Sequence, residues 1–154
     1  MAIGDVLEFN QFKVDLGNKI HNLATDTYKF GLINSTITPV VTAVAPHWGG
    51  TGTTDYSANE CTPGGNYPSG GITATNVTYT ESSGTVSLNM DKLVVALNAG
   101  NPTDARWFVM YNDTDVNKRC VAFIDLGSVR DLTIGLLEFR FNAVDGIGTL
   151  MTVS

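Results

Sequence analysis

From Ile72 onward the chain is a succession of short runs, each closed by a turn signal, and this rhythm restricts the fold more than any other feature of the sequence. Thr73 to Glu81 alternates Val77 and Tyr79 with Thr78 and Thr80, and Ser82-Ser83-Gly84 turns the chain. Thr85 to Met90 alternates Val86, Leu88 and Met90 with polar neighbours. Lys92 to Leu97 carries an apolar run, and Ala99-Gly100-Asn101-Pro102 ends it. Arg106 to Tyr111 is apolar almost throughout, as expected of a strand covered on both faces. Asn112 to Lys118 reads as a hairpin loop and Arg119 to Leu126 as its partner strand. Leu136 to Phe141 places Leu137, Phe139 and Phe141 on one face, Asp145-Gly146 is a turn, and Gly148 to Val153 closes the series. Period-2 alternation with regular turn punctuation predicts an all-β jelly-roll or β-sandwich of roughly eight strands.

The first part of the chain follows a different period. Phe9, Phe12, Leu16, Ile20 and Leu23 fall on one stripe at helical spacing, so residues 9–23 are predicted as one N-terminal amphipathic helix. Asn10, Asp15, Asn18, His21 and Asn22 face away from the stripe, and Gly17 weakens it. Thr25-Asp26-Thr27 then leads into a strand with Tyr28, Phe30 and Leu32 alternating. Residues 1–8 (Met1 to Glu8) are expected to form an N-terminal arm. Pro39 and Pro46 push Ser35 to Ala45 toward a sheet edge or an extended arm. Residues 46–71 form the longest loop candidate, dense in Gly, Pro, Asn and Ser and carrying His47, Trp48, Tyr56 and Tyr67. Such rings either present a contact surface or pack down and pin the loop. The expected organisation is one domain over residues 1–154, with residues 28–154 as the sandwich.

Charge narrows the partners. The net charge is −6 and the nine basic residues are scattered, which argues against a nucleic-acid face and against an anionic membrane surface. Charged residues make up only 16%, a composition suited to a surface covered by neighbours. Met1 to Phe9 lacks the pattern of a secretory signal, and no segment is apolar enough to span a bilayer. Cys61 and Cys120 are read as free thiols, with one disulfide as the alternative.

A search for chemistry yields no catalytic, cofactor-binding or metal residues. His21 and His47 lack metal-ligand spacing. A thiol–imidazole pair of His47 with Cys61 or Cys120 has no local support. Asp113, Asp115 and Asn117 alternate like the start of a calcium loop, but Lys118 stands where that loop needs Gly and Ile124 where it needs Glu. The pairs Gly49-Gly50, Gly64-Gly65 and Gly70-Gly71 match neither phosphate-binding pattern.

Taken together, four motifs resemble a family of small virion structural proteins of tailed bacteriophages. They are the Phe-rich helix with Lys19-Ile20-His21-Asn22-Leu23 and the strand to Asn34; the Gly64 to Gly71 loop with Tyr67; Arg106 to Thr114 followed by Ala122 to Gly127; and Phe139 to Asn142 followed by Gly148 to Leu150. They occur in the family's order. Pro46 to Asn59 is longer than the family's pattern. The resemblance implies a non-catalytic capsid cement or decoration protein, most often a jelly-roll trimer. It implies that the protein is made in the host bacterial cytoplasm and resides in the virion, on the capsid surface. Its partner would be the major capsid protein, whose subunits it bridges; the longer Pro46 to Asn59 stretch means that contacts are not carried over from the family, and residues 46–71 and Met1 to Glu8 are expected as contacts on their own composition. Two alternatives stand beside it: a tail or neck subunit of the virion, and a carbohydrate-binding sandwich stacking sugars on Trp48, Tyr56 and Tyr67.

Overall fold

A computed structural model describes residues 4–82, 85–140 and 147–153. The strands are β1 (Val6–Glu8), β2 (Tyr28–Ile33), β3 (Pro46–His47), β4 (Thr54–Asp55), β5 (Ile72–Thr73), β6 (Thr78–Ser82), β7 (Thr85–Asp91), β8 (Leu93–Val95), β9 (Ala105–Asn112), β10 (Cys120–Arg130), β11 (Leu137–Phe139) and β12 (Ile147–Val153). The helix is α1 (Asn10–Gly17), and a 3-10 turn covers Ser57–Asn59. The protein is therefore mostly β, built from antiparallel sheets with one short parallel pair, β3 with β4, and the described strands close no barrel.

The main sheet has the order β1-β10-β9-β2-β5. β9 and β10 lie at its centre because their residues are apolar on both sides of the pleat: Trp107 to Asn112 and Cys120 to Leu126 are all buried. The antiparallel register sets Gly31, Val109 and Phe123 side by side on one face. Trp107 and Phe123 meet edge to face there, and Phe9 packs on both Phe123 and Tyr56. The opposite face carries Phe30, Leu32, Phe108 and Met110, in one core cluster with Leu88 and Met90 of the β12-β7-β6 sheet.

Two N-terminal expectations are corrected. Residues 4–8 are not a free arm: β1 pairs with β10 through Val6 to Glu8, and the Gly4 amide donates to the Asp125 carbonyl at 2.8 Å. The helix predicted over residues 9–23 stops at Gly17. Asn18 caps it, Lys19 takes a left-handed φ of 59°, the Lys19 amide donates to the Leu16 carbonyl and the Ile20 amide to the Asp15 carbonyl. These are the two bonds of a Schellman stop, with lysine where glycine is usual. The apolar stripe continues past that stop because Leu23 reaches the core from a turn. Ser35 to Ala45 forms turns and no strand. The expected turns at Ser83-Gly84 and Asp145-Gly146, and Phe141, lie outside the described residues.

Candidate interaction surface

The Pro46–Gly71 segment was the first candidate for contacts, and its rings prove to be structural. Trp48, Tyr56 and Tyr67 are all at least 95% buried, so none offers a face to a sugar or a partner. Trp48 lies parallel to Tyr111, with ring centroids 5.2 Å apart, and covers Gly31. A Cβ at Gly31 would stand 2.0 Å from that indole, so only glycine lets the ring lie on the sheet. The Tyr67 hydroxyl accepts from the Leu32 amide at 2.7 Å and donates to Glu60 Oε1 at 2.9 Å, and Glu60 also accepts from the Gly70 amide. The Tyr111 hydroxyl donates to the Gly70 carbonyl. The loop is thus clamped to β2 and β9, with Thr51, Thr53, Thr62, Asn66 and Pro68 among its exposed residues.

His47 is also buried, with Nδ1 3.8 Å from Asp55 Oδ1. Burial pushes the Asp55 carboxyl upward, but hydrogen bonds from Gly49 and Ser57 outweigh it and hold the group low. The His47 backbone forms an isolated antiparallel bridge with that of Arg119, the residue before Cys120. The Cys120 thiol is completely enclosed and burial drives its pKa up, the reverse of what a nucleophilic thiolate needs. Burial also raises Cys61, and both cysteines are free.

At the β9–β10 hairpin tip, Asp113 lies between Lys29 and Lys118, and Asp115 accepts from the Arg119 amide. Lys118 adopts φ 48°, the left-handed conformation that a calcium loop would give to glycine, while its ammonium neutralises the nearest carboxylate. Among the described residues, no three His, Cys, Asp or Glu side chains come together to hold a metal ion. His21 was expected on the polar face of a helix; it is 7% exposed, lodged between Asp15 and Asn112, and Asp15 is buried with it.

A second surface emerges at the end of β10. Gly4, Leu126, Arg130, Leu132, Leu136 and Phe139 are among the residues lining an open groove of about 280 Å³. Leu132 is buried and ties its segment down: its amide donates to the Pro102 carbonyl, and its carbonyl accepts from Asn101 Nδ2. Arg130 donates from Nε and a terminal nitrogen to the Leu126 carbonyl, and Asp131 Oδ1 accepts from the Thr133 amide and hydroxyl. Around this anchor Val129, Ile134 and Leu136 stand 50%, 81% and 62% exposed. Three large aliphatic side chains held in water by a built segment make a surface suited to protein contact. The sequence offers Leu136 as the start of a strand, on the face of Glu138 and Arg140 and opposite Leu137 and Phe139, which agrees with its exposure.

No family model, curated protein or solved structure matches this chain. No helix among the described residues is long and apolar enough to cross a membrane.

Proposed function

We propose that this protein is a non-catalytic structural protein of a tailed-bacteriophage virion. In this reading it acts as capsid cement, binding the assembled head surface and bridging major capsid protein subunits. The observation that carries it is the anchored segment displaying Val129, Ile134 and Leu136 beside the groove. The four ordered motifs described above supply the virion context. A protein that binds only the assembled lattice shifts the equilibrium toward assembly by mass action. Many copies act together, so each contact is effective even when its own affinity is modest. A jelly-roll or sandwich arrangement of the sheets and a trimeric state belong to the same proposal.

The test is the copy number of this chain relative to the major capsid protein in purified virions, together with binding to expanded empty capsids. Cement predicts a lattice-wide ratio near one to one, and Ile134→Asp or Leu136→Asp should abolish capsid binding while the folded protein remains intact. A few copies per virion would place the protein in the tail or neck instead. Absence from virions would sink the reading. The carbohydrate reading loses its stacking platform, because the three rings it needs are buried.

A further inference from the structure

The buried histidine on the far side of α1 is held in one protonation state by its neighbours. Asn112 decides which one. Its Oδ1 accepts from the Thr114 amide at 2.9 Å and the Asp115 amide at 3.1 Å, which fixes the orientation of the side-chain amide. Nδ2 is therefore the end that faces His21, 3.1 Å from Nδ1, and it also donates to Asp26 Oδ2 at 2.7 Å. Both Asn112 protons are in use. Nδ1 of His21 must accept, so the ring is neutral and carries its proton on Nε2. That N–H faces Asp15 Oδ2 at 3.9 Å, beyond hydrogen-bond range, and both atoms are buried.

We propose that His21 and Asn112 form a proton-operated latch that fastens residues 18–26, and with them the end of α1, to the β9–β10 hairpin, and that protonation of His21 at Nδ1 opens it. A proton on Nδ1 would point a donor at a donor and break the Asn112 bond. The charge would arise in a side chain with no exposed surface, packed 5.2 Å from the Phe12 ring. The charged groups around it come from every neighbouring element: Asp15 from α1, Lys19 and Asp26 from the connecting turns, and Asp115 and Arg119 from the hairpin. Burial lowers the His21 pKa from its ordinary 6.5, and Arg119 adds to that, while Asp15, Asp115 and Asp26 oppose it. A pocket of about 330 Å³, lined by Leu16, Lys19, His21, Leu23 and Tyr79 among others, adjoins the same turn. The latch contributes fully above pH 6.5, and its contribution falls as the pH drops below that value toward the folded-state midpoint.

Two measurements on the intact protein test this. Long-range nitrogen–proton NMR of the imidazoles should show His21 as the Nε2–H tautomer, titrating below 6.5. Amide exchange should show protection at Lys19, Ile20 and Asp26 falling below pH 6.5, by up to about tenfold per pH unit after correction for intrinsic chemistry, while Val109 stays protected. An Nδ1–H tautomer, titration at or above 6.5, or protection that does not change with pH would overturn the latch. His21→Asn keeps an acceptor oxygen and removes the titration, so its exchange should lose the pH slope; a slope that persists would also overturn it. If that variant does not fold, the two wild-type measurements still decide.

Discussion

At the scale of single residues, two backbone positions carry opposite constraints. Gly31 is glycine because the Trp48 ring occupies the space of a side chain. Gly31→Ala drives a methyl into an aromatic ring stacked on Tyr111, and overpacking of this kind costs about 1–3 kcal/mol or more. Its urea midpoint should fall clearly, and the near-ultraviolet signal of Trp48 should change with it. Lys19 is the reverse case, an exposed non-glycine residue at φ 59°. A left-handed conformation costs an L-residue about 1–2 kcal/mol, and glycine's freedom in the unfolded chain returns part of that. Lys19→Gly should therefore stabilise the protein by about 0.5–1 kcal/mol, read as a rise in urea midpoint.

At the scale of elements, the Pro46–Gly71 segment has hardly any regular structure yet behaves as part of the core. Its stability comes from side chains reaching inward, with Tyr67 at the junction of β2, Glu60 and the Gly70 turn. Tyr67→Phe keeps the ring but leaves the Leu32 amide and Glu60 without that hydroxyl, at a cost of about 1–3 kcal/mol. Limited proteolysis should then cut first within residues 46–71, whereas in the wild type this segment should resist. The sequence made the strands legible because burial on a sheet leaves a period of two, as in Tyr28, Phe30 and Leu32. It made the start of α1 legible through Phe9 and Phe12. It did not reveal the Schellman stop, since lysine carries no signal for a left-handed backbone. It also left the orientation of the Trp48, Tyr56 and Tyr67 rings open, because a Gly-rich loop has no periodicity from which to infer which side is buried. His21 was hidden for a related reason: it is buried against Asn112, which lies far along the chain.

At the scale of the whole molecule, acid should weaken the fold in two stages. The His21 contribution declines below pH 6.5. Asp125 is held below its usual 3.8 by the Arg106 guanidinium, and Asp113 is held low by Lys118 and Lys29 against the upward push of burial. Both carboxylates stabilise the fold above pH 3.8, and that contribution is lost as the pH falls further, about 0.5–1 kcal/mol for each pair after solvent screening. Urea midpoints at pH 7.5, 5 and 3 should fall at each step; a flat profile from 7.5 to 5 would exclude the first stage. Cys61 and Cys120 are buried in the same core, so a thiol reagent should label both together, at the rate of global unfolding. The central position of β9 and β10 also bears on how the protein is made. Among the described residues β1 pairs only with β10, β2 lies between β9 and the two-residue β5, and Phe9 and Trp48 pack on side chains that belong to β9 and β10. Translation runs at about 5–20 residues per second, so the first half of the polypeptide waits for seconds before its partners leave the ribosome. During that interval Phe9 lacks Phe123, Phe30 lacks Phe108 and Trp48 lacks Tyr111, so large aromatic surface stays open to water until the second half of the chain emerges.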